Sequence, residues 1–146
     1  MSQDSAKLDL LLNEIEENCS SSKYQASVLP FMFDCACLIE HRMPKIALDC
    51  LSVAKDFAEN RGDREALIEA VRACWQALGK GDASQNLANP EVSAIRVVIC
   101  ILHWQLSPDA DEFLDLLSFL MQLVNNVEPS YEKQEVLIKR RFIGCL

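Results

Sequence analysis

Apolar residues recur at helical spacing through most of this chain, and turn-forming residues interrupt them at intervals suited to short connections. Leu8, Leu11, Leu12 and Ile15 fall three or four residues apart while Asp9, Glu14, Glu16 and Glu17 face elsewhere, which predicts an amphipathic helix over 5–18 started by Asp4 or Ser5. The hydroxyls of Ser20, Ser21 and Ser22 compete for backbone hydrogen bonds and predict a turn. Between Tyr24 and Arg42 the apolar density is high, with Pro30 suiting either a first-turn position or a kink.

Pro44 opens the next predicted helix, in which Ile46, Cys50, Leu51, Ala54, Phe57 and Ala58 share a face until Asn60-Arg61-Gly62 ends it in a left-handed cap. Asp63 then caps a helix carrying Leu67, Val71, Cys74, Trp75 and Leu78, closed by Gly79-Lys80-Gly81, and the two should form an antiparallel hairpin. A loop with one helical turn is expected over 82–89. Asn89-Pro90 and Ser107-Pro108 both read as a capping side chain followed by proline at the first helical position. The first of these helices presents Val92, Ile95, Ile99, Leu102 and Leu106; the second presents Phe113, Leu116, Leu117, Leu120 and Val124. Pro129-Ser130 starts a last helix to Phe142, with Lys139, Arg140 and Arg141 at its negative pole.

The elements add up to an all-α fold, a single domain over 1–146 of about six to eight helices packed as antiparallel hairpins in a bundle. Composition agrees: half of the residues are hydrophobic, enough to close one core, while Gly 4 and Pro 5 leave little punctuation for many short strands.

Charge narrows the partners. Fourteen Lys and Arg against 22 Asp and Glu give a net charge of −8, a field that repels phosphate backbones and attracts basic surfaces, so nucleic acid is excluded as an expected partner. No apolar stretch suits a membrane span and Met1-Ser2-Gln3-Asp4 lacks a signal pattern, so the expected location is the cytoplasm. The seven cysteines, odd in number and scattered through predicted helices, read there as reduced thiols.

Few residues suggest chemistry. Cys37 with His41, and Cys100 with His103, stand at helical spacings, and two such faces meeting would supply four ligands for a structural zinc. The spacing lacks a zinc knuckle, so core thiols and surface histidines are the favoured reading, with no metal and no cofactor. Cys35 and Cys37 lie about 200 degrees apart on a helix and cannot chelate one ion together. A thiol enzyme built on Cys37 and His41 lacks a visible orienting group. With no Gly-rich phosphate loop or nucleophile elbow either, the chain reads as a non-enzyme. Trp75 and Trp104 read as core or half-buried anchors. Asp109, Asp111, Glu112 and Asp115 suit a helix start, as a solvated face or as the electrostatic half of a protein interface.

The block from Phe33 to Gly79 carries Asp34-Cys35-Ala36, then Pro44-Lys45 with Ala47, then an Arg- and Ala-bearing helix. In these pieces it resembles a helical family of bacterial immunity proteins encoded beside polymorphic toxins; Cys37 departs from the pattern, which has a polar residue there. The resemblance implies a small cytoplasmic protein that binds a cognate toxin domain and blocks it. The charge is compatible, since an acidic inhibitor steers onto a basic cleft. The expected contact residues are Glu14, Glu16, Glu17, Asp109, Asp111, Glu112 and Asp115. A helical scaffold or adaptor module, which predicts an exposed apolar groove, is the first alternative. A metal- or thiol-dependent protein using Cys37, His41, Cys100 and His103 is the second.

Overall fold

A computed structural model describes residues 3–79 and 86–146. Among these residues the fold is all-α: α1 (Gln3–Asn18), α2 (Ser21–Cys37), α3 (Lys45–Ala58), α4 (Arg64–Leu78), α5 (Pro90–Leu106), α6 (Phe113–Val127) and α7 (Tyr131–Arg141). Short 3₁₀ turns occupy Glu40–Arg42, Ala110–Glu112 and Ile143–Cys145. The expected loop over 82–89 and the Lys80-Gly81 stop lie wholly or partly outside the described residues.

Several boundaries follow from local chemistry. Asp63 accepts a 2.9 Å hydrogen bond from the Ala66 N–H, and Asn89 accepts one of 2.9 Å from the Glu91 N–H, so both predicted caps are in place. The chain leaves α3 through Asn60, whose φ of 62° supplies the left-handed residue; Gly62 does not adopt that conformation. Asparagine suffices because its short polar side chain tolerates the left-handed region. Gly79, with φ 76°, ends α4.

Two boundaries differ from expectation. Ser20 to Ser22 do not form an extended turn; α2 begins at Ser21, with Ser20 as its N-cap residue. Ser107 and Pro108 lie outside the helices. Asp109 instead accepts a 3.0 Å hydrogen bond from the Asp111 N–H and caps a 3₁₀ turn, so α6 begins only at Phe113. Asp109 supplies the nearer acceptor and displaces the serine from the capping role.

Pro30 sits inside α2, where proline costs about 3 kcal/mol. Val28, Phe31, Met32, Cys35 and Ala36 of the same helix are fully buried against α5, α6 and α7, and burying large apolar side chains at about 1.5–3 kcal/mol each offsets that penalty.

α5 is the centre of the molecule, packed against α2, α3, α4 and α6. Ala94, Ile95 and every residue from Val97 to Leu102 are buried, so it is apolar nearly all round, not on one stripe. α3 and α4 pack as a hairpin on one side, with Cys50, Leu51 and Ala54 facing Leu67, Ala70 and Cys74. On the other side α1 and α7 run together: Lys7 pairs with Glu135 at 2.9 Å and Asn18 donates to the Cys145 carbonyl at 3.2 Å, so the two helices are parallel. Buried Gln134 joins α7 to α6 by accepting a 2.9 Å bond from Asn125.

The cysteines correct the expectation that all seven are reduced. Cys19 and Cys145 form a disulfide across 126 positions, joining the end of α1 to the last 3₁₀ turn. Cys35, Cys37, Cys50, Cys74 and Cys100 are free.

Candidate functional site

Glu14, Glu16 and Glu17 are exposed on the last turns of α1, where no basic residue accompanies them. Carboxylates at a helix C-terminus meet the negative pole of the dipole, so this placement opposes stability. Asp109, Asp111, Glu112 and Asp115 are exposed around the entry to α6. Asp109 is partly committed to its capping bond. None of the seven forms an ion pair among the described residues.

Tyr24 links the two runs. Its ring is buried and stacks on Phe113 at a centroid distance of 4.1 Å. Its hydroxyl is held above the usual phenol pKa first by burial, then by the negative charges of Glu16 and Asp111. Two acidic segments far apart in the chain therefore act on one phenol, and α1 packs directly on α6, where Ser118 donates a 2.8 Å hydrogen bond to Asp9.

Beside this surface lies an open groove of about 650 Å³, with Leu29, Pro30 and Phe33 of α2 facing Trp104, Pro108 and Ala58. Arg141 closes one edge by a bidentate pair with Asp34, 2.5 Å through Nε and 3.0 Å through Nη2. That pairing, ahead of a smaller opposing effect of burial, raises the Arg141 pKa. Pro30 has no N–H, so the carbonyl of Ala26, a lining residue, lacks its usual helical donor one turn ahead. The only sequence signal for this groove is a proline within a dense apolar segment.

The four Cys/His residues are not assembled into a site. α2 ends at Cys37, so His41, in the following 3₁₀ turn, does not continue its helical face; it hydrogen-bonds Glu128 at 3.2 Å. On α5 Cys100 is buried while His103 is exposed. Among the described residues no three His, Cys, Asp or Glu side chains are grouped to hold a metal ion. Burial pushes the Cys100 thiol up to about 12 and raises that of Cys35 as well. Cys74 is raised by its hydrogen bond to Cys50 and by burial, so these thiols are poor nucleophiles. Cys37 is exposed and Cys35 buried, on opposite sides of α2 as their spacing requires.

Trp104 is buried, whereas Trp75 is 38% exposed with the Arg96 guanidinium 5.1 Å over its ring. A separate polar cleft of about 370 Å³ lies between α1 and α6, lined by Asp9, Ser118, Gln122, Asn125 and Tyr131 among others. Much of its polarity is internally satisfied by the Ser118 to Asp9 and Asn125 to Gln134 bonds.

Among the described residues no helix is long and apolar enough to cross a membrane. Comparison with protein-family models, with curated proteins and with solved structures finds no match for the chain.

Proposed function

We propose that this chain is an inhibitory binding protein of the immunity type, which neutralises a cognate toxin domain through the acidic surface around Tyr24. The observation that carries the reading is the stacking of Tyr24 on Phe113 at 4.1 Å, which sets the start of α2, just after the acidic end of α1, against the acidic entry to α6. The absence of cationic partners for Glu14, Glu16, Glu17, Asp111, Glu112 and Asp115 among the described residues leaves their charge available to a basic toxin cleft. Glutamates placed against the α1 dipole fit a surface kept for binding at some expense of stability.

The proposed site of action is the bacterial cytoplasm. A reducing compartment would open the Cys19–Cys145 disulfide, and the Asn18 to Cys145 and Lys23 to Gly144 hydrogen bonds, 3.2 and 3.0 Å, would then be what holds the terminal turn.

The test is affinity capture from the native host with the tagged chain and with Glu14→Gln, Glu16→Gln, Glu17→Gln, Asp111→Asn and Asp115→Asn combined. Asp109 is left intact because it caps the 3₁₀ turn. A toxin-domain partner held by the parent and lost by the variant is the expected result. Equal retention of that partner by both would remove the acidic surface as its interface.

The scaffold or adaptor reading has one observation in its favour, the exposed apolar groove beside Pro30. It predicts partners whose binding is indifferent to the five charge substitutions.

A further inference from the structure

The groove and the acidic surface are neighbours, and their junction defines a more specific ligand than either alone. We propose that the groove between α2, the end of α5 and Pro108 seats a large apolar side chain of a protein partner's segment, flanked on that segment by Lys or Arg. The proposal rests on the reading of this chain as a protein-binding inhibitor and adds the chemistry of the bound segment.

Two features select that occupant. The walls are apolar: Leu29, Pro30, Phe33 and Trp104 offer contact area but few polar groups, which suits an aromatic or branched anchor. The charge on the α2 and Pro108 side of the groove is acidic, because the turn Ala110–Glu112 packs on α2, while Arg64, donating to the Leu106 carbonyl at 3.1 Å, is a cation at the α5 end. Pro108 leads directly into Asp109 and Asp111, and Gln25 of the lining follows Tyr24, on which Glu16 and Asp111 act. At the opposite edge Arg141 is neutralised by its bidentate pair with Asp34 and does not repel a cation.

The same charges argue against other occupants. A second copy of the chain would bring its own net charge of −8 to an acidic rim, and nucleic acid or an anionic membrane would meet the same repulsion.

The test is an amide and indole NMR titration of the whole chain with three synthetic peptides of equal length. One has a central Trp flanked by Lys, one a central Trp flanked by Glu, and one a central Ala flanked by Lys. The Lys-flanked Trp peptide is expected to shift Ala26, Leu29, Phe33 and the Trp104 indole, and to bind about tenfold or more tightly than the other two. Ala26→Trp, which fills the groove from an exposed position of α2, should weaken it by a similar factor. Ala58→Lys, on the facing wall, provides the same check should the first variant fail to fold.

Equal binding of the Glu-flanked peptide would overturn the charge selection. Shifts confined to the Glu14 to Glu17 and Asp109 to Asp115 segments, unaffected by either groove variant, would overturn the groove as the seat while leaving the toxin-capture experiment to judge the acidic surface. No shift at the groove with any peptide would overturn the proposal outright.

Discussion

Cys19, just beyond the end of α1, is disulfide-bonded to Cys145, 126 positions later. The bond gathers α1, the start of α2 and the turn after α7 into one corner, where Asn18 and Lys23 also donate to carbonyls of the terminal turn. It closes a very long loop, and such closures restrict the unfolded chain most.

Reduction of that bond, or Cys145→Ser, is expected to lower unfolding stability by about 2 to 5 kcal/mol while the helical signal of the native state persists. Urea unfolding with and without dithiothreitol reads the change. The variant should be insensitive to reductant, and a parent protein equally insensitive would remove the bond from the account of stability.

Thiol accessibility should be strongly graded. Of the five free cysteines only Cys37 is exposed, so the native, non-reduced protein should react with Ellman's reagent at one fast thiol. Denaturation without reductant should release all five, and denaturation with reductant all seven cysteines of the chain. Rapid reaction of more than one thiol in the native state would contradict the burial of Cys35, Cys50, Cys74 and Cys100.

Gln134 is fully buried and serves Asn125, the Met121 carbonyl and Ser130 at once. Gln134→Ala removes these bonds and opens a cavity between α6 and α7, at an expected cost of about 2–4 kcal/mol by chemical unfolding. Asp63→Ala removes only a surface cap and should cost about 1 kcal/mol. A loss at Gln134 no larger than that at Asp63 would mean that the α6 to α7 junction tolerates unpaired polar groups.

Glu135 is held below the usual carboxylate pKa, first by Lys139 and then by Lys7, at 2.8 and 2.9 Å. A depressed folded-state pKa means that its contribution is fully present above the unfolded value and is lost as pH falls through the folded one. The gap in thermal stability between the parent and Glu135→Gln should therefore be largest near neutrality and close on acidification below the ordinary glutamate range. Added salt should narrow it at neutral pH, because the pairs are solvent-accessible. A gap that widens on acidification would have the wrong sign for this linkage.

Much of the fold is legible in the sequence. The spacing of Leu8, Leu12 and Ile15, or of Phe113, Leu117, Leu120 and Val124, specifies helices because residues three and four apart share a face. Asp63 and Asn89 were readable as caps because the N–H groups they accept lie within three residues. The Ser107-Pro108 pair misleads because Ser107 and Asp109, two positions apart, compete for one capping role, and Asp109 takes it by accepting from the Asp111 N–H.

The candidate site was legible only as ingredients. Glu14 to Glu17 and Asp109 to Asp115 were visible as charged runs, but their common action on Tyr24 depends on α1 and α6 being packed together. The pairs Cys37 with His41 and Cys100 with His103 showed suggestive spacing, yet the end of α2 at Cys37 and the burial of Cys100 keep them from forming one face.

By itself, the sequence determined the helical class, most helix boundaries and the acidic field, all set by composition or by interactions reaching a few residues along the chain. Only the tertiary structure decided that α5 is buried on nearly every side, that α2 carries Pro30 through its interior, that Cys19 meets Cys145 and that an apolar groove opens beside the acidic surface. Each of these depends on contacts between segments distant in the chain, where packing energy outweighs local preference and no local pattern records the partner.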